Sequence, residues 1–143
     1  LFDIKELDMK SESKENILAY LRGNYLNSFV DSLKNINITE VNEISIRELR
    51  SKKEWADWSR KIGVYLFIAD GKVVYIGRAL NSLGSRVHSQ ITSLGDSEWD
   101  EIITNDDNTV VVICIEGNMR YLASALEIYL IDSIKPRFNK KIQ

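Results

Sequence analysis

The residues able to do chemistry gather in the second half of the chain. Tyr65 and Tyr75 stand in two β-rich runs, each two positions from a glycine, Gly63 and Gly77. Residues two apart on a strand share a face, so each glycine leaves open space beside its tyrosine. Two phenols beside side-chain-free positions make a polar recess that a substrate can enter; the same pair also reads as aromatic cross-strand packing, and the residues alone support both. Arg78 follows the second glycine, and Arg86 lies on the next predicted helix. Between Tyr121 and Ile134 only Glu127 and Asp132 are charged, and the pattern is that of a buried helix. A buried carboxylate must be paired, hydrogen-bonded or metal-bound. Ala123 and Ser124 leave space over Glu127, where either a structural ion pair or a bound ion would satisfy it.

The elements that hold these residues follow from periodicity. The first sixty residues read as helical: Ile17, Leu18, Leu21, Tyr25, Phe29 and Leu33 recur at helical spacing after Ser13, a candidate N-cap, with Gly23 marking a break. Ser45 and Glu48 form a capping box, with Ile44 and Leu49 as its staple and Trp55 and Trp58 on the same stripe. From Gly63 the period changes to that of strands, and Ala69, Asp70 and Gly71 join two of them as a hairpin. A two-residue type I′ turn would set Tyr65 and Tyr75 on opposite faces. A three-residue loop with a G1 bulge at Gly71 sets them opposite each other on one face, with Phe67, Gly63 and Gly77. The second register sorts the side chains better and is the one predicted. Leu83, Val87, Ile91 and Leu94 then mark a short helix capped by Asn81 or Ser82, an acidic loop follows, and Thr109 to Glu116 reads as a central strand. A last helix over 121–134 ends at Lys135 and Pro136. The expected architecture is α+β: a small three-stranded antiparallel or mixed sheet flanked by helices, ββαβα, over 61–143, preceded by a helical extension over 1–60.

Gly63, Val64 and Tyr65, followed by Tyr75, Ile76 and Gly77 and then by Arg86, Glu127 and Asn139 in order, resemble the signature of the GIY-YIG nucleases. The stretch ALEIYLIDSIKPRFNKKI is similar to the end of the nuclease domain in bacterial excision-repair endonucleases of that family. The resemblance covers about 63–142. It implies a metal-dependent endonuclease that cuts a DNA phosphodiester by in-line attack of water, with Tyr65 as general base, Tyr75 as a hydrogen-bond partner of the water or phosphate, Arg86 on the phosphate and Glu127 as the metal ligand. Mg²⁺ suits a single carboxylate because it keeps waters and takes phosphate oxygens, and Mn²⁺ is expected to substitute. Arg78, Gln90 and Lys140 are expected to bind phosphate or DNA; Gly63, Gly77 and Asn139 are expected to support the site. Some relatives carry a His four residues after the helix arginine, where this chain has Gln90; His88, two residues from Arg86, points elsewhere on a helix and is given no catalytic role. The other function class is a silent GIY-YIG-like module that binds DNA or protein without cutting.

Composition sets the bounds. The chain has 143 residues, 44% of them hydrophobic, enough to bury a core without disulfides, and its single cysteine, Cys114, excludes an internal disulfide and reads as core. No apolar run approaches the roughly 20 residues of a membrane span, so the cytoplasm is the expected compartment. The net charge of −2 argues against a polyanion partner, yet six acids cluster between Asp96 and Asp107 without a Lys or Arg, and the remainder is +4. Arg78, Arg86, Arg137, Lys140 and Lys141 lie toward the expected site. The expected partner is double-stranded DNA, bound in a salt-sensitive way, with the first sixty residues, a homodimer or a partner protein choosing the target.

Overall fold

The structure, a computed structural model, describes residues 13–51 and 55–139. The chain divides into two compact units between Ile36 and Asn37. In the first, α1 (Ser13–Leu21) runs through a π-helical turn at Arg22–Leu26 into α2 (Asn27–Lys34). The turn contains Gly23, the break expected from its low helix propensity. Leu18, Tyr25, Phe29 and Leu33 on this helical run are 41–46% exposed.

The second unit begins with a strand, which corrects the expectation that the first sixty residues are helical. β1 (Ile38–Ser45) pairs antiparallel with β4 (Thr109–Ile115). Its apolar residues Ile38, Val41 and Ile44 are spaced by three, which mimics a helix; the register slip between Ile38 and Glu40 puts Ile38 and Val41 on one face, while Ile44 lies on the other, buried where Val41 is exposed. The expected boundary after residue 60 therefore falls inside this unit. α3 (Ile46–Ser51) follows, and the Glu48 N–H donates to Ser45 Oγ at 3.1 Å, as the capping motif requires. Trp58 sits in a 3₁₀ turn (Asp57–Arg60).

β2 (Ile62–Ala69) and β3 (Lys72–Ala79) form the hairpin, and the sheet order is β1-β4-β2-β3, antiparallel throughout. It has one strand more than expected, because the spacing in β1 imitates a helix. Asp70 and Gly71 both have positive φ, 52° and 71°, the signature of a type I′ turn, so the predicted G1-bulge loop is wrong. A slip between Phe67 and Ile68 then inserts Val74 into β3 as a bulge. Tyr65 consequently opposes Gly77 and Tyr75 opposes Phe67, two positions from the predicted pairing. Beyond the bulge a shift of two keeps side chains on their faces, so the predicted sorting of Tyr65, Phe67, Tyr75 and Gly77 onto one face survives; the bulge itself moves Val74 to that face and leaves Val73 with Val64 and Leu66, which corrects the expectation that Val74 lies opposite.

That face packs under α4 (Leu83–Thr92) and α5 (Ser97–Thr104), with Val87, Ile91, Trp99 and Ile103 in one buried cluster around Tyr65 and Phe67. Ser82 caps α4, as expected. The acidic stretch is a helix and not a loop, because Asp96 accepts from the Glu98 and Trp99 N–H groups and starts α5. The opposite face packs under α6 (Arg120–Ile134) through Val64, Leu66, Ile76 and Ile131. Only one side of α6 is covered; Tyr121, Ile128 and Tyr129 are 47–67% exposed, so the wholly buried helix expected from its apolar composition is corrected. Cys114 lies in the core on β4, and burial pushes its thiol up to about 11. Among the described residues no helix is long and apolar enough to cross a membrane.

Two supports fix the edges of this assembly. Arg50 donates to the last-turn carbonyls of both Ile91 and Ile103, at 2.9 and 2.7 Å, tying the ends of α4 and α5 together. After α6, Lys135 turns through a left-handed conformation, and the chain runs along the free edge of β3: the Phe138 N–H donates to the Val74 carbonyl at 3.1 Å, and Asn139 exchanges two 2.8 Å hydrogen bonds with the backbone of Ile76. Removing a buried partner leaves its mates unsatisfied. Asn139→Ala is therefore expected to lower stability by about 2 kcal/mol, read as a reduced urea midpoint with an unchanged denaturant slope.

Candidate active site

β3 is an edge strand, and its outer edge looks into a recess of about 400 Å³ walled by Tyr75, Gly77, Arg78, Leu80, Arg86 and Glu127. They come from both faces of the hairpin and from two helices. Tyr75 and Gly77 lie on the α4 side of the hairpin, Arg78 on the α6 side, Arg86 on α4 and Glu127 on the covered face of α6. Alternation along β3 lets adjacent residues reach the recess from both faces, which only an edge strand permits. The structure thus brings Tyr75, Arg78, Arg86, Gly77 and Glu127 together, as the sequence expected.

Glu127 is 6% exposed, and its Oε1 accepts from Arg78 Nη1 at 2.8 Å. The side chains differ in exposure, 8% for Glu127 and 44% for Arg78, so the buried partner is the carboxylate and the arginine can leave. Among the described residues no group of three or more His, Cys, Asp or Glu side chains could enclose a metal. A cation at this recess would have Glu127 as its one carboxylate, a donor set suited to an ion that keeps water and substrate oxygens, as Mg²⁺ does.

Tyr65 is placed differently from Tyr75. It is fully buried, and its ring lies across Gly77: a Cβ at that position would run into the Tyr65 hydroxyl. This explains the second glycine. Gly63 has another reason, since a Cβ there would strike the Ile113 carbonyl of the neighbouring central strand. Among the described residues the Tyr65 hydroxyl has no partner in good hydrogen-bond geometry, although Arg86 and Gln90 lie close enough to act on it. Burial pushes its pKa up to about 12, and the nearby Tyr75 adds to this, while Arg86 and Gln90 pull it back in part. The Tyr65 and Tyr75 rings are 6.2 Å apart between centroids.

The other expected site residues are spread around this centre. Gln90 reaches Tyr75 Oη at 3.5 Å and lines a neighbouring cavity, not the recess. Asn139 braces the edge of β3, and Lys140 lies outside the described residues. His88 points to the other side of α4, with its ring 6.1 Å from that of Trp55 in the largest cavity, about 700 Å³, which has no carboxylate among its described lining residues. Sequence reasoning missed Trp99 and Phe138, which stack edge-on at 5.2 Å beside Tyr75. The only signal was the position of Phe138 next to Asn139; Trp99 was hidden in the acidic run.

A buried hydroxyl without a partner costs about 1–3 kcal/mol. Tyr65→Phe is expected to leave the protein as stable as the parent or about 1 kcal/mol more so. The sign with pH is fixed by the raised pKa: the parent is at full stability below about pH 10 and loses stability as pH rises through about 12, because the unfolded chain releases the proton first. Thermal melts across that range should show the alkaline loss in the parent and a smaller one in Tyr65→Phe.

Comparison with known proteins gives the recess a setting. The family model for the UvrC-like GIY-YIG domain matches residues 61–140. The UvrABC system protein C of Aquifex aeolicus (strain VF5) is 38% identical over 79 residues, covering 55% of this chain and 13% of that protein, so this chain spans a small part of its relative. Among solved structures, the GIY-YIG N-terminal endonuclease domain of UvrC from Thermotoga maritima, bound to its catalytic divalent cation magnesium, is 25% identical with a TM-score of 0.45, over 56% of this chain and 84% of that one. A point mutant of the same domain, bound to its catalytic divalent cation, is 24% identical with a TM-score of 0.46 over the same shares. Since the family match spans more than half of the sequence and contains all the residues of the recess, the chain belongs to the UvrC-like GIY-YIG family of nuclease domains.

Proposed function

We propose that this chain is a metal-dependent endonuclease that hydrolyses DNA phosphodiester bonds in the recess beside β3. The observation that carries this reading is the convergence of Arg78, Arg86 and a buried Glu127 on one cavity walled by Tyr75. Two guanidiniums suit the paired non-bridging oxygens of a phosphate, and their positive charge opposes the negative charge that builds during in-line attack. Glu127 would hold Mg²⁺ or Mn²⁺, which when bound supplies Lewis-acid stabilisation of the phosphate and favours deprotonated oxygens nearby.

Tyr75, at the wall, orients the water or the phosphate, and Tyr65, beneath Gly77, is the base. A phenol with pKa about 12 is protonated at neutral pH, so its activity as a base is limited by the phenolate fraction. Arg86 favours the charged form of Tyr65 and is placed to hold the phosphate; because a bound phosphate offsets its charge, the divalent cation would be needed to keep the phenolate accessible. The helical residues before Asn37, whose apolar side chains are partly exposed, are proposed to choose the substrate or to join two copies. The proposed substrate is duplex DNA, and the proposed place of action is the cytoplasm.

A specific observation favours the second reading, a silent binding module: Arg78 already satisfies Glu127, as a structural ion pair would. Removing Arg78 separates the two readings. In Arg78→Met a metal-binding Glu127 is left free, and 10 mM Mg²⁺ should raise the melting midpoint by about 4 °C, more than in the parent and not at all in Glu127→Gln. Equal midpoints with and without Mg²⁺ in Arg78→Met would favour the structural pair.

Activity gives the direct test. Plasmid incubated with the protein and Mg²⁺ or Mn²⁺ should be nicked or cut, and Glu127→Ala should lower this at least about 10³-fold. Binding of duplex without cutting under either metal supports the silent module. The rate should rise about tenfold per pH unit between pH 6 and 9, because the base works deprotonated, and Tyr65→Phe should lose both most of the rate and this slope.

A further inference from the structure

Beyond the recess, on the far side of Tyr75, lies a second cavity of about 540 Å³ that the proposed cleavage reaction does not use. We propose that it is a subsite for one unpaired nucleotide of the strand being cut, an inference that rests on the nuclease reading above. Its volume falls in the ordinary range of ligand pockets, about 300–1,000 Å³. Tyr75 belongs to both cavities, so a strand with its phosphate in the recess has the adjacent nucleotide at this opening.

The walls select for a base. Tyr75, Trp99 and Phe138 form an aromatic cluster, with Trp99 edge-on to the other two at 5.5 and 5.2 Å. Trp99 is buried and backs the other two, so the open aromatic surface is that of the partly buried Tyr75 and Phe138, and surface of this kind stacks on nucleobases of any sequence. Arg137, an exposed residue, lays its guanidinium 4.8 Å from the centre of the Phe138 ring and supplies the positive charge for a flanking phosphate. The carboxylate of Glu98, on the first turn of α5, stands on the cavity lining beside Asp96, whose Oδ1 already accepts two backbone N–H groups. These acids repel a second phosphate, so the cavity takes the base and not the backbone. A carboxylate accepts from the exocyclic amine of cytosine, adenine or guanine; thymine offers one ring N–H between two carbonyl oxygens, which a carboxylate repels. A base held in a duplex cannot enter, so the nucleotide must be unpaired or turned out of the stack.

The test is equilibrium binding in EDTA, where no divalent ion is present, using fluorescence anisotropy of labelled duplexes that are fully paired or carry one unpaired cytosine or thymine. The full chain should bind the duplex with unpaired cytosine about tenfold more tightly than the paired one, and unpaired thymine about threefold less tightly than unpaired cytosine. Phe138→Leu, which keeps apolar packing on Trp99, should lose most of the advantage of the unpaired base. Glu98→Gln, at an exposed position, should lose the preference for cytosine over thymine. Equal affinity for paired and unpaired duplexes would overturn the subsite and leave the nuclease reading standing; no binding to any of the duplexes, either in EDTA or with Ca²⁺ in its place, would overturn both. An advantage for the unpaired base that survives in both variants would place it elsewhere and overturn the assignment to this cavity.

Discussion

The free edge of β3 is the constraint on which the rest depends. An edge strand presents unpaired N–H and C=O groups to solvent and invites another chain to pair with it. Here the polypeptide returns after α6 and occupies part of that edge itself, through the Phe138 N–H on Val74 and both ends of the Asn139 amide on Ile76. Ile76 lies between Tyr75 and Gly77, so clamping its backbone fixes the positions of both. The unoccupied remainder of the edge, around Gly77 and Arg78, is what the recess opens onto. A fifth strand would have covered it. Using a side-chain amide in place of a strand closes the sheet at one residue and leaves the next open, and the same segment delivers Phe138 and Arg137 to the neighbouring cavity.

Two demands oppose each other at Tyr65. The core requires an apolar filler between β2 and the helices, and the ring serves as one, packed edge-on against Phe67 and flat enough over Gly77 that no side chain fits there. A phenylalanine would meet that demand without stranding a hydroxyl. Burial that raises the pKa to about 12 corresponds to about 3 kcal/mol against ionisation. A fold selected for stability alone gains nothing from this group. Its place beside Arg86 and Tyr75, under the floor of the recess, is the one the proposed base requires.

Much of this was legible in the sequence, and the failures have physical causes. The face shared by the two tyrosines was readable because strand parity depends on whether a shift is even; a wrong turn type and a missed bulge together moved the register by two and left the faces intact. The apolar surroundings of Glu127 implied a buried carboxylate in need of a partner, and the resemblance to the GIY-YIG nucleases implied that Arg86 shares its site. β1 was hidden because Ile38, Val41 and Ile44 stand at helical spacing, the first two brought to one face by the irregularity at Thr39 and the third on the other face. α5 was hidden because its charges look like a loop, whereas Asp96 spends its charge on capping and Trp99, Ile102 and Ile103 form the buried side. The second cavity was not readable at all: Trp99 and Phe138 lie far apart in the chain and meet only through the return along β3.

The charge distribution obeys the same division. Asp96 and Asp100 are engaged at the start of α5, and Asp107 pairs with Arg47 at 3.1 Å, so much of the acidic run that makes the chain net negative serves the fold away from the recess. Inside the recess the count is two arginines against one glutamate. With Arg78 on Glu127 the pair is neutral, and Arg86 alone leaves +1, enough to attract a phosphodiester carrying −1 but little more. In-line attack brings that phosphate toward −2. In the proposed reaction Glu127 would hold a divalent cation in place of Arg78, which would raise the charge of the recess from +1 to +3 and favour the more negative transition state over the ground state. Rate enhancement requires that difference, since charge that binds substrate and transition state equally lowers no barrier.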